Sequence, residues 1–350
     1  MSRLRYLPLL LLLLPPFYLE LFWLQAGLFV MAAAIGAIGL NLLTGSTGQL
    51  SMGHSFFLAV GAYGYVYFAG ESTGEGSGHL VGLGLPPVLA VVCAVALAGL
   101  AGLAFSPIAG RLSGVYLGIA SLALIFLGQH VLFNVHEVTG GYNGRAVPPL
   151  EVFGFAFDGS GEVVVLGIPF GGLEKLWFLG LLLLGLAALF ARGVLKGRPG
   201  RAMNLIRDQQ TAAGVLGIPV ARTRAAVFTL SSMYAGLGGV VLALTFQRAV
   251  PDYFGMLLAL DYLAMIVIGG LGSVSGAIIG ATFVTLLPQM LTRYSDALPL
   301  VAPTGTGGIS PSDAARYLYG AAVVGIVLFL PAGLRGLRLP SLTPRKETTP

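Results

Sequence analysis

About ten apolar runs, most of them long enough to cross a bilayer, restrict this chain more than any other feature. They cover roughly residues 7–24, 26–43, 52–69, 86–105, 115–134, 176–195, 225–246, 253–270, 277–291 and 317–334. Within lipid, only helices and closed barrels satisfy every backbone N–H and C=O, and runs of roughly 17–25 residues have the length of helices rather than strands. Charged residues make up 9% of the chain, against roughly 25% in a soluble domain. Too few charges remain to cover a water-facing surface. The predicted fold class is an all-α polytopic membrane protein, with residues 1–335 forming a single transmembrane domain. The opening MSRLRYLPLLLLLLPP has the basic end and apolar core of a signal peptide. No small-x-small site follows it, and apolar character resumes at Phe22 and Trp23, so it is read as the first membrane helix. Residues 336–350, ending in SLTPRKETTP, are read as a disordered cytoplasmic tail.

One basic polar island interrupts the apolar runs: ARGVLKGRPGRAMNLIRDQQTAAGVLGIPVARTR, residues 191–224. Seven cations (Arg192, Lys196, Arg198, Arg201, Arg207, Arg222, Arg224) face one acid, Asp208. Pro199 and Gly200 are expected to break the preceding helix. Ala202, Leu205, Ile206, Ala213 and Leu216 then recur near helical spacing, with Arg201, Asn204, Asp208 and Thr211 opposite, which predicts a short amphipathic helix. Gly217 followed by Pro219 is a helix stop. A soluble helix between two membrane spans needs a surface to dock on, and a cytoplasmic partner protein supplies one.

Placing the island in the cytoplasm orients the whole chain. By alternation both termini then lie inside, and 14 of the 19 Lys and Arg residues fall on the inner side with only Asp208 and Glu347 as acids. The five remaining cations share the outer loops with most of the acids, including Glu71, Glu75, Glu151, Asp158, Glu162 and Asp313. That is the positive-inside bias, from loops not used to choose the orientation. Because the cations sit at helix ends rather than in one patch, the pI near 9.4 does not point to nucleic acid. Outside the membrane, an insert over residues 136–175 carries EVFGFAFDG and VVVLGIPF, short runs expected to pair as strands, and residues 292–316 are a Pro/Gly/Ser-rich connection.

Catalytic motifs are absent. The sequence contains no GxxxxGK[ST] and no HExxH, and its single cysteine, Cys93, lies inside an apolar run. His54 beside Ser55 and Ser51 admits a membrane hydrolase, but no nucleophile turn accompanies them. Gln129, His130, Asn134 and His136 are explained by a helix end meeting water. Polar side chains within lipid must face protein or water. Asn41, Thr44, Gln49, Ser51 and His54 cluster around a glycine break at Gly45 and Gly48, and this set is the candidate translocation path. Asp261 and Gln289 stand apart as polar residues within later spans. The GxxGxxS pattern of residues 45–51 returns at residues 269–275, each time between two apolar runs, and paired breaks of this kind can mark a transport path. No span holds a carboxylate–arginine network suited to ion coupling, so the driving energy comes from elsewhere.

Three stretches carry a resemblance: GLNLLTGSTGQLSMGHSFFLAVGAYGY (39–65), GRAMNLIRDQQTAAGVLGI (200–218) and VIGGLGSVSGAIIGA (267–281). In this order they resemble the branched-chain amino acid ABC transporter permease family. The length and long outer insert are similar to the larger of its two permease subunits. The resemblance implies an importer of the bacterial inner membrane, carrying leucine, isoleucine or valine. Two permease subunits, usually non-identical, form the pore. Two cytoplasmic ATPases hold the ATP, so this chain needs no cofactor, and a periplasmic binding protein delivers the solute. It further implies that a cytoplasmic loop, residues 196–224, is the handle seated on an ATPase, with Arg201, Arg207, Asp208, Ala212, Ala213 and Gly217 making the contact. ATP-driven closure of the ATPases would then switch the pore between two states. Relatives of similar sequence carry urea, short amides and other amino acids, and a motor-free channel is a further alternative.

Overall fold

A computed structural model describes residues 12–74, 79–112, 114–152, 155–157, 163–165, 168–294, 310–329 and 334. The tail at 336–350, Glu75, Asp158, Glu162 and most of the connection at 292–316 lie outside the described residues. The chain is a bundle of helices: α1 Pro15–Tyr18, α2 Leu21–Thr47, α3 His54–Ala69, α4 Pro87–Arg111, α5 Val115–Asn134, α6 His136–Thr139, α7 Gly172–Lys196, α8 Arg198–Asp208, α9 Gln210–Val215, α10 Val220–Phe246, α11 Met256–Gly269, α12 Val274–Arg293 and α13 Pro311–Phe329. Six of these, α2, α4, α5, α7, α10 and α12, are long and apolar enough to cross a membrane, and α11 is a shorter apolar helix.

Helix ends differ from the expected spans where caps override the apolar pattern. The first boundary, expected at Gln25, lies instead at Glu20, which is extended and precedes α2. Gln25 sits inside that helix, and the beginning of the first predicted span lies outside the described residues. The last helix starts at Pro311 rather than Tyr317, because the Ser310 hydroxyl accepts the Asp313 N–H at 3.2 Å and donates to its carboxylate at 2.7 Å. These bonds satisfy the otherwise orphaned first turn.

Burial separates central helices from peripheral ones. The most apolar windows of α2 and α10 are 83% and 72% buried, against 22–33% in the other long helices. α10 packs on α2, α3 and α4, while α2 also packs on α7, α11 and α12. The close crossings are made by small residues. A Cβ on Gly61 would collide with the backbone of Gly236, and one on Gly239 with the carbonyl of Leu58. Between helices in lipid, van der Waals contact replaces the hydrophobic effect, so close backbone approach is what binds them. α12 is anchored at its start by Ser273, whose hydroxyl accepts the Gly276 N–H at 3.1 Å. Ser273→Ala is expected to cost about 1 kcal/mol, read as a small downward shift in the thermal stability of the purified protein.

The loops gather at two ends, as strict alternation requires. At one end β1 (Arg145–Ala146) pairs antiparallel with β6 (Arg248–Ala249). There the Arg145 guanidinium donates to the carbonyls of Val81 at 2.6 Å, Val138 at 3.3 Å and Glu71 at 3.1 Å. Burial lowers the pKa of Arg145 from its ordinary value. Arg293 meets Glu20 at 3.1 Å on the same side. All these residues belong to loops read as outer. In the insert, β2 (Glu151–Val152) pairs with β3 (Phe155–Ala156), and β4 (Val163–Val165) with β5 (Ile168–Phe170), so each short run pairs as strands within itself. The loops read as inner meet at the other end, where the candidate site lies.

Candidate functional site

The glycine-rich breaks that echo one another in sequence touch one another in space. α2 ends at Gly48, which takes the left-handed conformation (φ +70°) and returns its N–H to Thr44. Six residues before the end of α2, Asn41 reaches across to the second break. Its amide donates to the carbonyls of Ser273 at 2.8 Å and Gly270 at 3.3 Å, and its oxygen accepts the Gly272 N–H at 2.7 Å. Gly270 and Gly272 have φ of +108° and +75°, so the second break is a turn that leaves backbone groups without helical partners, and Asn41 supplies them. Gly45 is required for the approach, since a Cβ there would collide with the Gly272 nitrogen and the Asn41 oxygen.

Thr44, Gln49 and His54 are committed to bonds within the chain. The Thr44 hydroxyl donates to the Gln49 carbonyl at 3.0 Å, and the Gln49 amide donates to the Ala109 carbonyl of α4 at 3.3 Å. His54 is buried, with Nε2 2.9 Å from the Gly36 carbonyl; a carbonyl only accepts, so Nε2 carries the proton. The ring lies against Tyr262. Ser51 is buried as well. Thus Asn41, Thr44, Gly45, Gly48, Gln49, Ser51 and His54 come together in one region. In this conformation they pack into a tight constriction of the bundle. His54 bonds to backbone and not to a serine, which removes the arrangement a hydrolase would need.

The loop at residues 196–224 folds as two helices, not one. The preceding helix breaks at Gly197, and Pro199 lies in the first turn of α8, where a missing N–H costs nothing. Gln209 is extended (φ −151°, ψ 93°) and separates α8 from α9. Gly200, Met203, Ile206 and Ala213 form the buried face. Arg201, Asp208 and Gly217 are exposed, Ala212 is half-buried, and Leu216 faces water instead of joining the apolar stripe. The loop closes in a Schellman turn, with Ile218 N–H bonded to the Ala213 carbonyl and Gly217 N–H to the Gly214 carbonyl. Gly217 takes the left-handed conformation (φ +81°) that this turn requires. Val215 and Leu216, 89% and 71% exposed, project from the tip. Sequence reasoning missed Val215. Two adjacent apolar residues directly before a Gly–x–Pro stop were the available signal, because helical spacing cannot bury both.

A cleft of about 310 Å³ lies between α2, α10, α11 and α12 toward the opposite end. Asp261, Thr285, Gln289 and Tyr253 line it together with Phe29 and Leu242. It unites the two isolated polar residues noted in the later spans, and adds Tyr253 and Thr285, which the sequence did not single out. No cluster of three or more His, Cys, Asp and Glu residues suited to a metal occurs among the described residues.

Comparison with known proteins bears on this geometry. The family described as "Branched-chain amino acid transport system / permease component" matches residues 24–330. The high-affinity branched-chain amino acid transport system permease protein LivM of Salmonella typhimurium is 29% identical over 277 residues, 76% of this chain and 63% of that protein. LivM of Escherichia coli strain K12 gives the same identity and coverage, so the chain spans less than two thirds of the length of these relatives. LivH of Escherichia coli strain K12 is 24% identical over 298 residues, covering 79% of this chain and 91% of that protein. No solved structure gives a significant match. With a match running from α2 through α13, over membrane-length apolar helices joined at two ends, the chain is a multi-pass membrane protein that belongs to the family of branched-chain amino acid transport system permease components.

Proposed function

We propose that this chain is one permease subunit of an ATP-binding cassette importer that carries leucine, isoleucine or valine across the bacterial inner membrane. A second permease subunit of related sequence completes the pore, in keeping with the similarity of this chain to both LivM and LivH. Two cytoplasmic ATPases bind and hydrolyse ATP, and a periplasmic protein delivers the solute. Both termini face the cytoplasm. The observation that carries this reading is the water-exposed apolar tip, Val215 and Leu216, on a helix pair that joins the glycine constriction at the same end of the molecule. A channel without a motor has no use for such a handle.

The cleft beside Asp261 favours an aliphatic amino acid over urea or a short amide. Such a cargo presents an ammonium, a carboxylate and an apolar side chain. Asp261 answers the first, the Gln289 amide and Thr285 hydroxyl the second, and Phe29 and Leu242 the third. A wholly polar solute would leave the apolar wall without a complement. The test is uptake by the reconstituted complex, this chain with its partner permease, ATPases and binding protein. ATP-dependent accumulation of labelled leucine, competed by isoleucine and valine but not by urea, is the expected result. Accumulation without ATP, or competition by urea alone, would replace this reading with a channel or an amide carrier.

A further inference from the structure

Arg207 was expected, from the resemblance, to face an ATPase. Its side chain is 41% exposed, and its guanidinium also bonds within the chain. It lies in the last turn of α8, and Nη1 donates to the carbonyl of Gly45 at 2.9 Å. Nε is held by the Asp208 carboxylate at 2.9 Å, which fixes the plane of the fork. Gly45 lies in the final turn of α2, where the last carbonyls have no intrahelical donor. Thr44 receives the Gly48 N–H, and Gly45 receives Arg207. A cation at a helix C-terminus is favoured by the helix dipole as well. The fit extends to the turn itself. A Cβ on Gly48 would stand 3.2 Å from Arg207 Cγ, and one on Gly272 would stand 3.5 Å from the Gly45 carbonyl and 3.9 Å from Arg207 Nη1. One side chain therefore touches the end of α2 beside the place where Asn41 and Gly45 hold the turn between α11 and α12.

We propose that Arg207 is a positioning residue that keys the cytoplasmic helix pair to the two glycine breaks, so that movement of the α9 tip reaches the constriction through its guanidinium. α8 has its own apolar anchors in Met203 and Ile206, and Gln209 is the bend between anchor and tip. A displaced tip rotates α8, and the Arg207 fork carries that rotation to the α2 terminus. From there the three Asn41 bonds pass it to the head of α12. A lysine in the same place keeps the charge but not the planar fork with one arm on Asp208 and another on Gly45.

For its transport consequence this inference rests on the proposed function, but its structural half does not. The first measurement is hydrogen–deuterium exchange on the purified full chain. Arg207→Gln is expected to speed amide exchange at residues 45–53 and 270–276 by tenfold or more, with α4 unchanged. Arg293→Gln at the opposite end should leave both segments as in wild type. Exchange that stays at wild-type rates in both segments would overturn the proposal. The second measurement is transport by the reconstituted complex. Arg207→Gln should retain its ATPases but fall at least fivefold in solute moved per ATP hydrolysed, with Arg207→Lys intermediate. Loss of ATPase binding with unchanged exchange would make Arg207 an ordinary docking residue and sink the proposal. Should Arg207→Gln not reach the membrane, Arg207→Lys carries the same two readings. A wild-type complex that moves no solute would count against the proposed importer, and the exchange experiment would still decide the Arg207 link.

Discussion

With leucine in place of Asn41, the purified protein is expected to lose on the order of 3 kcal/mol or more of stability, and transport with it. Leucine has nearly the shape of asparagine, so packing is kept while three hydrogen bonds go. The Gly272 N–H and the carbonyls of Gly270 and Ser273 are then left without the partner that now meets them. Asn41 is 3% exposed, so water has no way in to replace it. Each orphaned group costs about 1–3 kcal/mol. Side-chain bonds between membrane helices average nearer 0.6 kcal/mol, because the separated helices find other partners. Here the larger figure applies to the Gly272 N–H and the Gly270 carbonyl, which belong to a non-helical turn, while the Ser273 carbonyl keeps the Ala277 N–H at 2.9 Å. Asn41→Asp tests the geometry separately. It keeps an acceptor for Gly272 but sets a second carboxylate oxygen against two carbonyls, and it should be no more stable than the leucine variant. The check is the fraction of monodisperse protein left after heating. Wild-type stability in Asn41→Leu would mean that glycine packing alone holds the breaks together.

How much of this was legible beforehand depends on what lipid does to a sequence pattern. Apolar runs of membrane length are unmistakable, so the helices and their alternation between two ends followed from composition and charge. Their boundaries did not, because a helix buried on all sides has no amphipathic edge to mark where it stops. Gln25 looked like a break and is an interior residue of α2, while the true start of α13 is set by a local cap at Ser310. In the loop, Pro199 looked like a breaker, yet it occupies a first turn that tolerates it.

The candidate site divides in the same way. Asn41 stood out as a polar residue in lipid, and the two glycine patterns stood out as an echo. Nothing in one sequence shows that residues 231 apart exchange a hydrogen bond. Once they do, the cluster gains a second meaning, as groups that hold two turns together at one end of the bundle. Arg207 shows the complementary limit. Its type and position fit a docking residue, and only the fold reveals that it also donates to Gly45. Ala213 likewise turns its side chain into the chain, where it supports the tip.

That distinction sets up the second large effect. Val215→Asp combined with Leu216→Asp is expected to weaken ATPase association by about 100-fold or more while the permease remains inserted and as heat-stable as wild type. Both side chains already face water, so a carboxylate at either position costs the isolated chain within about 0.5 kcal/mol. In a partner's groove the same carboxylates would be desolvated without a counter-charge, and truncated or mismatched anchors at the centre of an interface cost about 2–4 kcal/mol each. Binding and folding therefore separate at this tip, as they cannot at Asn41 or Ala213. A bulky residue at Ala213 would also abolish association, but by unseating α9, and it should lower thermal stability in the same experiment. Gly217→Val lies between the two. Open space surrounds the position, but its left-handed backbone disfavours any β-branched residue, so the tip should reorient without the bundle loosening. The pairing of readouts is what makes the assignment testable. Co-purification of the ATPases with the Val215→Asp/Leu216→Asp variant at wild-type yield would show that the handle lies elsewhere, whatever happened to uptake. Loss of the ATPases from a variant that stays fully stable locates the contact at these two residues, because no defect in the fold would remain to explain it.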